Sequence, residues 1–225
     1  MTADSQQPTL SAVEWWAMIA ISVLAGCGVW RHWWPLDPTE VLGFVSGGIC
    51  VWLTARAHIW NFPIGLANNV FFFILFFRAA LFADMTLQLI YFALGIYGWV
   101  LWVKGGPARG ALPISRTRLP EWFALFVFVA LGTVVMRAIL LRAHGASPFW
   151  DGLTTALSLA AQYLLSRKRL EHWWLWMLAD IIYVPLYLTR QLPLTAVLYG
   201  VFLLMCAFGL RGWLVTWRAR EVPAT

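Results

Sequence analysis

Eight long apolar stretches, separated by short polar loops, constrain the fold of this chain more than any other feature of its sequence. They cover residues 13–30, 39–57, 61–82, 84–103, 121–143, 148–166, 170–189 and 192–216. A helix needs about 20 mostly apolar residues to cross the roughly 30 Å of hydrocarbon in a bilayer. Because no water reaches that layer, the backbone groups of each stretch must pair within a helix. The sequence therefore predicts an all-α membrane protein that contacts the lipid bilayer over most of its surface.

The composition agrees with lipid surroundings and argues against several other classes of protein. Of the 225 residues, 61% are hydrophobic and 12% are charged, whereas a soluble domain carries about 25% charged residues. The Lys and Arg residues behind the net charge of +6 lie in loops, which is typical of membrane topology rather than nucleic-acid binding. The three cysteines and four histidines lack metal-ligand spacing, and we expect the cysteines to be inert packing residues. We therefore expect no nucleic-acid partner, no metal and no cofactor.

The distribution of basic residues predicts the orientation of the chain. Counted over alternate loops, eleven of the 16 Lys and Arg residues fall on one side of the membrane and five on the other. The richer side is expected to be cytoplasmic. This places both termini in the cytoplasm of a multi-pass protein of the bacterial inner membrane.

The first apolar stretch, 13–30, admits two interpretations. Residues 24–27, Leu-Ala-Gly-Cys, match a lipoprotein cleavage site, which would make the stretch a signal peptide. A signal peptide begins with positive charge, whereas residues 1–14 contain Asp4 and Glu14 and no Lys or Arg. We favour an uncleaved extra helix that precedes a seven-helix core.

A polar break at 104–120 divides this core into three helices, a linker helix and three more helices, a layout that suggests an internal repeat. An offset of 111 residues places Asn69 on Asp180, Leu81 on Leu192 and Gln88 on Tyr199, and Gly-Trp pairs at 98–99 and 212–213 match at a slightly different offset. The single linker helix would make the repeats parallel; chance similarity between apolar helices is the alternative. The predicted parts are an N-terminal tail with the extra helix (1–38), the first three-helix repeat (39–103), a basic loop with the linker helix (104–147), the second repeat (148–216) and a cytoplasmic tail (217–225).

One carboxylate lies deep in an apolar stretch and marks a candidate binding site. Asp180 is ten residues into the run 170–189, near mid-membrane, where a charge costs about 2.5–3.5 kcal/mol and usually faces a cavity or a partner. Trp176 and Trp173 precede it by four and seven residues, on the same helical face. Such a stripe would bind a flat aromatic cation through ring stacking, cation–π attraction and charge compensation. The alternatives are a packing aspartate and an interfacial tryptophan belt.

Further polar residues within the apolar stretches are candidates for contacts with substrate hydroxyls. They are Asn68, Asn69 and Gln88 in the first half, and Asp151, Gln162, Tyr183 and Tyr199 in the second. The amides could instead form hydrogen bonds between helices. Asp151 could instead cap its helix.

Several of these residues stand in motifs that resemble the PnuC family of vitamin transporters over residues 39–216. The motifs are Asn61-Phe62-Pro63-Ile64-Gly65-Leu66 with Asn68, Phe76-Phe77 followed by Leu81, Leu87-Gln88, Tyr97-Gly98-Trp99, Pro148-Phe149-Trp150-Asp151, Trp173-x-x-Trp176, and Tyr199. The resemblance implies a fold similar to the SWEET sugar carriers, a 3+1+3 helix bundle with parallel three-helix repeats, assembled as a homotrimer. It also implies facilitated diffusion of nicotinamide riboside, with cytoplasmic phosphorylation as the trap.

The resemblance also assigns part of the site. Trp173, Trp176, Asn68 and Gln88 match binding positions of the family, whereas Asp180 stands where nicotinamide riboside carriers have asparagine. Nicotinamide riboside and thiamine are both flat cations, and an acid would accept either, so thiamine or another cationic vitamin is the alternative substrate. An enzyme would need clustered acids, a metal set or a nucleophile with its base, which the sequence around Asp180 lacks. We expect a transporter; a non-transporting membrane subunit is the second alternative.

Overall fold

Eight α-helices account for most of the residues that the computed structural model describes, which are 10–31, 38–78, 82–106, 110–143, 147–189 and 193–221. The helices are α1 (Ala12–Trp30), α2 (Pro38–Ala55), α3 (Asn61–Arg78), α4 (Phe82–Lys104), α5 (Leu119–Arg142), α6 (Pro148–Ser166), α7 (His172–Thr189) and α8 (Pro193–Glu221). The prediction of an all-helical protein is therefore confirmed within the described residues.

Apolar surface on these helices fits a bilayer. Spans long and apolar enough to cross a membrane lie at Asn61–Arg78, Met85–Lys104, Leu119–Arg142 and Ala196–Arg220, and shorter apolar spans lie at Ala12–Leu24 and Val45–Ala55. On α5, Phe123, Phe126 and Leu131 are all more than half exposed. Water would penalise a continuous apolar surface of this kind, whereas lipid tails do not. The chain therefore has the helices of a multi-pass membrane protein.

Some helix ends differ from the hydropathy pattern. α8 continues past the expected end at 216 to Glu221, because residues 217–221 are good helix formers although they are polar. α5 begins at Leu119, before the expected 121, because Pro120 fits the first turn of a helix, where its missing N–H is not needed. The expected pairing of Leu81 with Leu192 lies outside the described residues.

The first of two units, which ends at Ala111, packs α1 through α4 in chain order. Met18 of α1 packs against Leu53 of α2, whose side chain is fully buried. Glu14 of α1 accepts hydrogen bonds from the Ser11 hydroxyl and backbone N–H, both at 2.9 Å, which defines the start of the helix. The same carboxylate pairs with Arg56 at 2.7 Å. The extra N-terminal helix is therefore attached to α2 through both apolar and charged contacts.

The second unit, from Leu112 onward, packs α5 through α8 in chain order and contains a half-buried arginine beside its first loop. The Arg169 side chain is 12% exposed and lies 3.1 Å from the Glu121 carboxylate. Its guanidinium also donates to the Ser115 hydroxyl at 3.0 Å and to the Arg116 carbonyl at 2.8 Å. Arg169 therefore joins the α6–α7 loop to the segment that leads into α5.

A second carboxylate strengthens the same junction. Glu171 is 5% exposed and accepts hydrogen bonds from the Thr117 backbone N–H and hydroxyl, at 2.8 and 2.7 Å. It also pairs with Arg116, whose guanidinium lies 5.3 Å from the centre of the Trp217 ring on α8. In this loop, burial and, to a smaller extent, the charge of Arg220 lower the pKa of Lys168 from 10.5 to about 8.

The turn that follows α2 in the first unit has the same backbone geometry as the turn that follows α6 in the second unit. Ala57 after α2 and Lys168 after α6 have left-handed φ angles of 50° and 53°. In both turns the N–H of the next residue donates to a carbonyl five residues earlier, at 2.8 and 2.9 Å, which closes a Schellman motif. α3 and α7 then begin at Asn61 and His172 and span 18 residues each. All of these positions are related by the offset of 111.

The aromatic packing behind these turns also repeats. In the first unit, the Phe62 and Trp102 rings meet edge to face with centroids 5.0 Å apart. In the second unit, Trp173 and Trp213 meet edge to face at 5.8 Å. All four side chains are at most 3% exposed, and the offset between the two pairs is again 111. The two units therefore contain the same edge-to-face aromatic contact at positions 111 residues apart.

The same offset relates two buried glycines, Gly98 on α4 and Gly209 on α8. The sequence interpretation matched the Gly-Trp pairs at 98–99 and 212–213, which are 114 residues apart. The difference of three residues is close to one helical turn, which returns a residue to nearly the same face. A sequence pattern on an apolar helix does not distinguish the two alignments.

Candidate functional site

Three tyrosine rings stack between α7 and α8 in the second unit. Tyr183 and Tyr187 are four residues apart on one face of α7, and their ring centroids are 5.7 Å apart. Tyr199 of α8 lies 4.6 Å from Tyr183 and 5.1 Å from Tyr187. Phe202 packs edge-on against Tyr199 at 5.9 Å. We call Tyr183, Tyr187 and Tyr199 the tyrosine cluster, whose ring faces are suited to flat or cationic groups.

The tyrosine cluster is the polar version of an apolar arrangement in the first unit. Phe72 and Phe76, at the offset of 111, stack at 5.7 Å with planes 25° apart, close to the 30° between Tyr183 and Tyr187. The Tyr183 hydroxyl interacts with the Thr154 and Ser158 side chains of α6. The rings therefore have similar geometry in both units, but the second unit adds hydroxyl groups.

Asp180 lies one turn before Tyr183 on the same face of α7 and is 4% exposed. Its Oδ2 atom accepts a hydrogen bond from the Cys206 thiol of α8 at 3.8 Å. The ion pairs formed by the described residues use the carboxylates of Glu14, Glu121 and Glu171 instead. Within the described part of the chain, Asp180 is thus a buried acid beside aromatic rings with no cationic partner. Such an acid is typical of a functional site in a membrane protein.

The two predicted tryptophans differ in their surroundings. Trp173 is 1% exposed and packs against Trp213 and against His172, whose ring centroid is 4.4 Å away. Trp176 is half-buried on α7. Trp173 therefore contributes to the packing of α7 on α8, and the binding role assigned to both tryptophans stays a prediction.

Gly209 provides the space that Trp173 fills, which leads to a stability prediction. A Cβ atom at Gly209 would lie 2.9 Å from Cζ3 of Trp173 and closer to two other ring atoms. Gly209→Ala should therefore lower the stability of the folded protein by about 1–3 kcal/mol, the usual effect of overpacking. Thermal unfolding of the purified protein in detergent, followed by tryptophan fluorescence, measures the change.

Gly200→Ala is the matched control on the same helix. A Cβ atom there meets nothing within 4 Å, so alanine should raise stability by up to about 1 kcal/mol through its helix propensity. Equal unfolding temperatures for the two variants would contradict the proposed packing role of Gly209.

The candidates in the first unit take part in helix packing to different extents. The Asn68 amide of α3 donates to the Ser46 hydroxyl of α2 at 3.0 Å, which is the interhelical link considered as an alternative for such amides. Asn69 on α3 and Gln88 on α4 are half-buried. A substrate role for Asn68 and Gln88 stays a prediction.

Asp151 lies in the first turn of α6 and is not its capping residue. The N-cap is Ser147, and the Asp151 backbone N–H donates to the Ser147 carbonyl at 3.0 Å. The Asp151 carbonyl accepts a hydrogen bond from the Thr155 hydroxyl at 2.8 Å. The capping alternative is therefore wrong in detail, although an acid in the first turn still interacts favourably with the helix dipole.

A cleft of about 480 Å³ lies on a different face of α7 from Asp180. Its lining residues are Ser147, Trp150, Ile181, Ile182, Pro185, Leu186 and Thr189. None of the predicted site residues contributes to this lining. We place the candidate site at Asp180 and the tyrosine cluster, because that face concentrates the buried polar groups.

Two contributors to the candidate site were absent from the sequence prediction. Tyr187 carries a signal, because it follows Asp180 by seven residues on the same face and Tyr183 by four. Cys206 carries none: it is buried, which agrees with the expected packing residue, and its thiol in addition donates a weak hydrogen bond to Asp180. Only the pairing of α7 with α8 reveals that contact.

Long apolar helices and a buried, unpaired acid beside stacked aromatic rings define the class of protein. They are typical of a multi-pass membrane protein with a small-molecule site among its helices, as in membrane transporters.

Comparison with known proteins identifies the family within this class. The family model described as nicotinamide mononucleotide transporter matches residues 37–215, so this chain belongs to that family. The nicotinamide riboside transporter PnuC of Escherichia coli (strain K12) is 28% identical, covering 90% of this chain and 94% of the relative. The riboflavin/roseoflavin transporter RibM of Streptomyces davaonensis is 25% identical, covering 82% of this chain and 88% of the relative.

A solved structure supports the same fold. The crystal structure of the vitamin B3 transporter PnuC superposes with a TM-score of 0.69 at 21% identity, covering 95% of both chains. The resemblance to PnuC transporters inferred from the sequence motifs is confirmed, as is the expectation of a transporter.

Proposed function

We propose that this protein carries nicotinamide riboside across the membrane by facilitated diffusion, with phosphorylation in the cytoplasm as the trap. The observation that carries the proposal is the similarity to PnuC of Escherichia coli over nearly the whole of both chains. The chemistry of the candidate site supports it. Nicotinamide riboside contains a flat pyridinium cation, which matches the stacked rings of the tyrosine cluster and the negative charge available at Asp180.

The negative charge available at Asp180 favours cationic substrates over neutral ones. Thiamine is also a flat cation and would gain the same charge compensation. Riboflavin, the substrate in the name of RibM, is a neutral flat molecule that would stack but gain nothing from the acid. We therefore rank nicotinamide riboside first, thiamine or another cationic vitamin second, and riboflavin below both.

The proposal includes an architecture. We propose a SWEET-like 3+1+3 arrangement in which α2–α4 and α6–α8 are parallel repeats, α5 is the linker and α1 is an additional helix. The turns, helix starts and aromatic pairs that recur at an offset of 111 support it. We further propose a homotrimer in the bacterial inner membrane, with Trp173, Trp176, Asn68 and Gln88 as substrate contacts in addition to Asp180 and the tyrosine cluster, and with Asp151 at the margin of the site.

Uptake into proteoliposomes tests the proposed function. Vesicles that contain the purified protein should accumulate labelled nicotinamide riboside to the external concentration, faster than protein-free vesicles. Unlabelled thiamine and riboflavin, added as competitors, rank the alternatives. A protein that transports none of the three would support the non-transporting subunit instead.

The predicted orientation has its own test. A periplasm-specific reporter enzyme fused after residue 225 should be inactive, and a cytoplasmic reporter at the same position should be active, because eleven of the 16 basic residues lie on the side of the C-terminus. The reverse pattern of activities would overturn the orientation.

A further inference from the structure

Positively charged side chains from three segments meet at one end of the second unit. Arg116 precedes α5, Lys168 lies in the α6–α7 loop, and Arg220 lies in the last turn of α8. Backbone hydrogen bonds join the first two segments, since the Ser115 N–H donates to the Lys168 carbonyl at 3.2 Å. Arg220 belongs to the polar continuation of α8, beyond the end that hydropathy predicts. We call Arg116, Lys168 and Arg220 the cation cluster.

Trp217 of α8 connects the members of this cluster. The Arg116 guanidinium lies 5.3 Å from the centre of the Trp217 ring, which is a cation–π contact. Arg220 follows Trp217 by three residues and therefore shares its side of the helix. The charge of Arg220 in turn acts on the Lys168 ammonium, so these two like charges repel each other. The fold thus gathers three cations from distant parts of the chain.

Positive charge exceeds negative charge among the described side chains of this junction. Its two carboxylates are already paired, Glu121 with Arg167 and Arg169, and Glu171 with Arg116. The other two members of the cation cluster raise the number of cations to five, against these two acids. The N-termini of α5 and α7, which also begin here, add partial positive charge. The junction therefore has the electrostatic character of an anion-binding site.

The preference of basic residues for one side of a membrane explains why the loops are basic, but it does not bring side chains from three segments together. Their mutual repulsion is a cost that a bound anion would remove. Burial and the charge of Arg220 lower the pKa of Lys168 from 10.5 to about 8, and a bound anion would oppose this shift. Arg116 is well exposed and pairs with Glu171 through its Nε atom, so its two Nη groups can bind a further anion.

From these charges and donors we propose that the cation cluster is a binding site for a phosphate group. Phosphate offers several strong acceptor oxygens and at least one negative charge, which suit the planar guanidinium groups of Arg116 and Arg220 and the ammonium of Lys168. The apolar span Ala196–Arg220 ends at the cluster, and such spans end where phospholipid headgroups meet water. The phosphate belongs either to an anionic phospholipid or to a soluble phosphate compound, and both present the same chemistry to the cluster.

The unfolding temperature of the purified protein in detergent measures this binding, because a ligand that binds the folded state stabilises it. Inorganic phosphate and short-chain phosphatidylglycerol are titrated separately, each against sodium chloride of equal ionic strength. A saturating rise with phosphatidylglycerol alone identifies a lipid headgroup as the source of the phosphate. A rise with inorganic phosphate as well identifies a site open to soluble phosphate compounds. Short-chain phosphatidylcholine, whose phosphate is balanced by its own cation, should give a smaller rise than phosphatidylglycerol.

The double variant Lys168→Gln, Arg220→Gln tests whether the cluster is the site. It should bind the active probe about 25-fold more weakly, from about fivefold for each cation removed near a membrane surface. The ion pairs of Glu121 and Glu171 stay in place, so the variant should fold. Arg142→Gln is the matched control, because it removes an exposed arginine at the other end of α5, and it should bind like the wild type.

Native mass spectrometry counts the bound phosphate or phosphatidylglycerol directly and so separates binding from a change in stability. The wild type and Arg142→Gln should retain the probe, and the double variant should lose it at the same concentration. If neither probe binds the wild type, or if the double variant binds as tightly as the wild type, the phosphate site is overturned. The proposed transport function does not depend on this result, because uptake of nicotinamide riboside is measured separately.

Discussion

Asp180→Asn should weaken the binding of nicotinamide riboside by about 5–30-fold at mildly alkaline pH. Two charges 5 Å apart at an effective dielectric constant of about 20 interact by roughly 3 kcal/mol. Desolvation of the carboxylate offsets much of this attraction, which leaves a net effect of about 1–2 kcal/mol. Asparagine keeps the size of the side chain and accepts the same Cys206 hydrogen bond, so the change removes mainly the charge. Calorimetric titration of wild-type and variant protein measures it.

Two comparisons separate this charge effect from a packing effect. Thiamine should lose a similar factor in affinity, whereas binding of riboflavin, if present, should stay the same or improve, because riboflavin has no positive charge. Trp176→Ala should reduce the affinity by a comparable or larger factor if its ring stacks on the substrate. If Asp180→Asn binds both cations with unchanged affinity but unfolds at a different temperature, the result would show that Asp180 contributes to packing and not to substrate binding.

Arg169→Ala should destabilise the protein by about 3 kcal/mol. The guanidinium of this half-buried residue contacts the Glu121 carboxylate, the Ser115 hydroxyl and the Arg116 carbonyl, and its removal leaves these partners incompletely paired. For a chain of this size the unfolding temperature should fall by roughly 6–12 °C. Transport per folded molecule should change little, because the network lies in the loops rather than at Asp180.

Two control variants test whether the loss of stability comes from the hydrogen-bonded guanidinium of Arg169. Arg169→Lys keeps the charge but loses the fork of donors, so it should fall between alanine and the wild type. Arg218→Ala removes an exposed arginine near the end of α8 and should stay within about 0.5 kcal/mol of the wild type. An Arg169→Ala protein that unfolds at the wild-type temperature would show that the network does not stabilise the loop junction.

Most of the fold could be predicted from the sequence, because the lipid bilayer restricts which segments can cross it. A helix in hydrocarbon must be long and apolar, so hydropathy located the eight helices of the described residues, four of which are long and apolar enough to cross a membrane. It missed the polar continuation of α8 to Glu221, since helix propensity and hydropathy are separate properties. Arg169 and Glu171 were visible only as loop charges, because the contacts that bury them join residues 48 to 55 positions apart.

Part of the candidate site could be predicted from the sequence. Asp180, Tyr183 and Tyr199 are conspicuous because polar groups are costly in apolar stretches. The contact between Asp180 and Cys206 depends on the register of α7 against α8, which is fixed by Trp173 filling the space at Gly209. Side-chain interlocking of this kind leaves no periodic pattern in a sequence where every face is apolar.

The correspondence between Phe72 and Phe76 in one unit and Tyr183 and Tyr187 in the other bears on how such a protein acquires a new substrate. Ring stacking of nearly the same geometry in both units is what a duplicated ancestral gene would have passed to each descendant. At these positions the second unit has one more oxygen atom on each ring, and it has the carboxylate of Asp180 where the first unit has the amide of Asn69. If the two units arose by duplication, changes this small would leave the packing of the helices intact, so that selection could alter specificity in one unit without changing the fold.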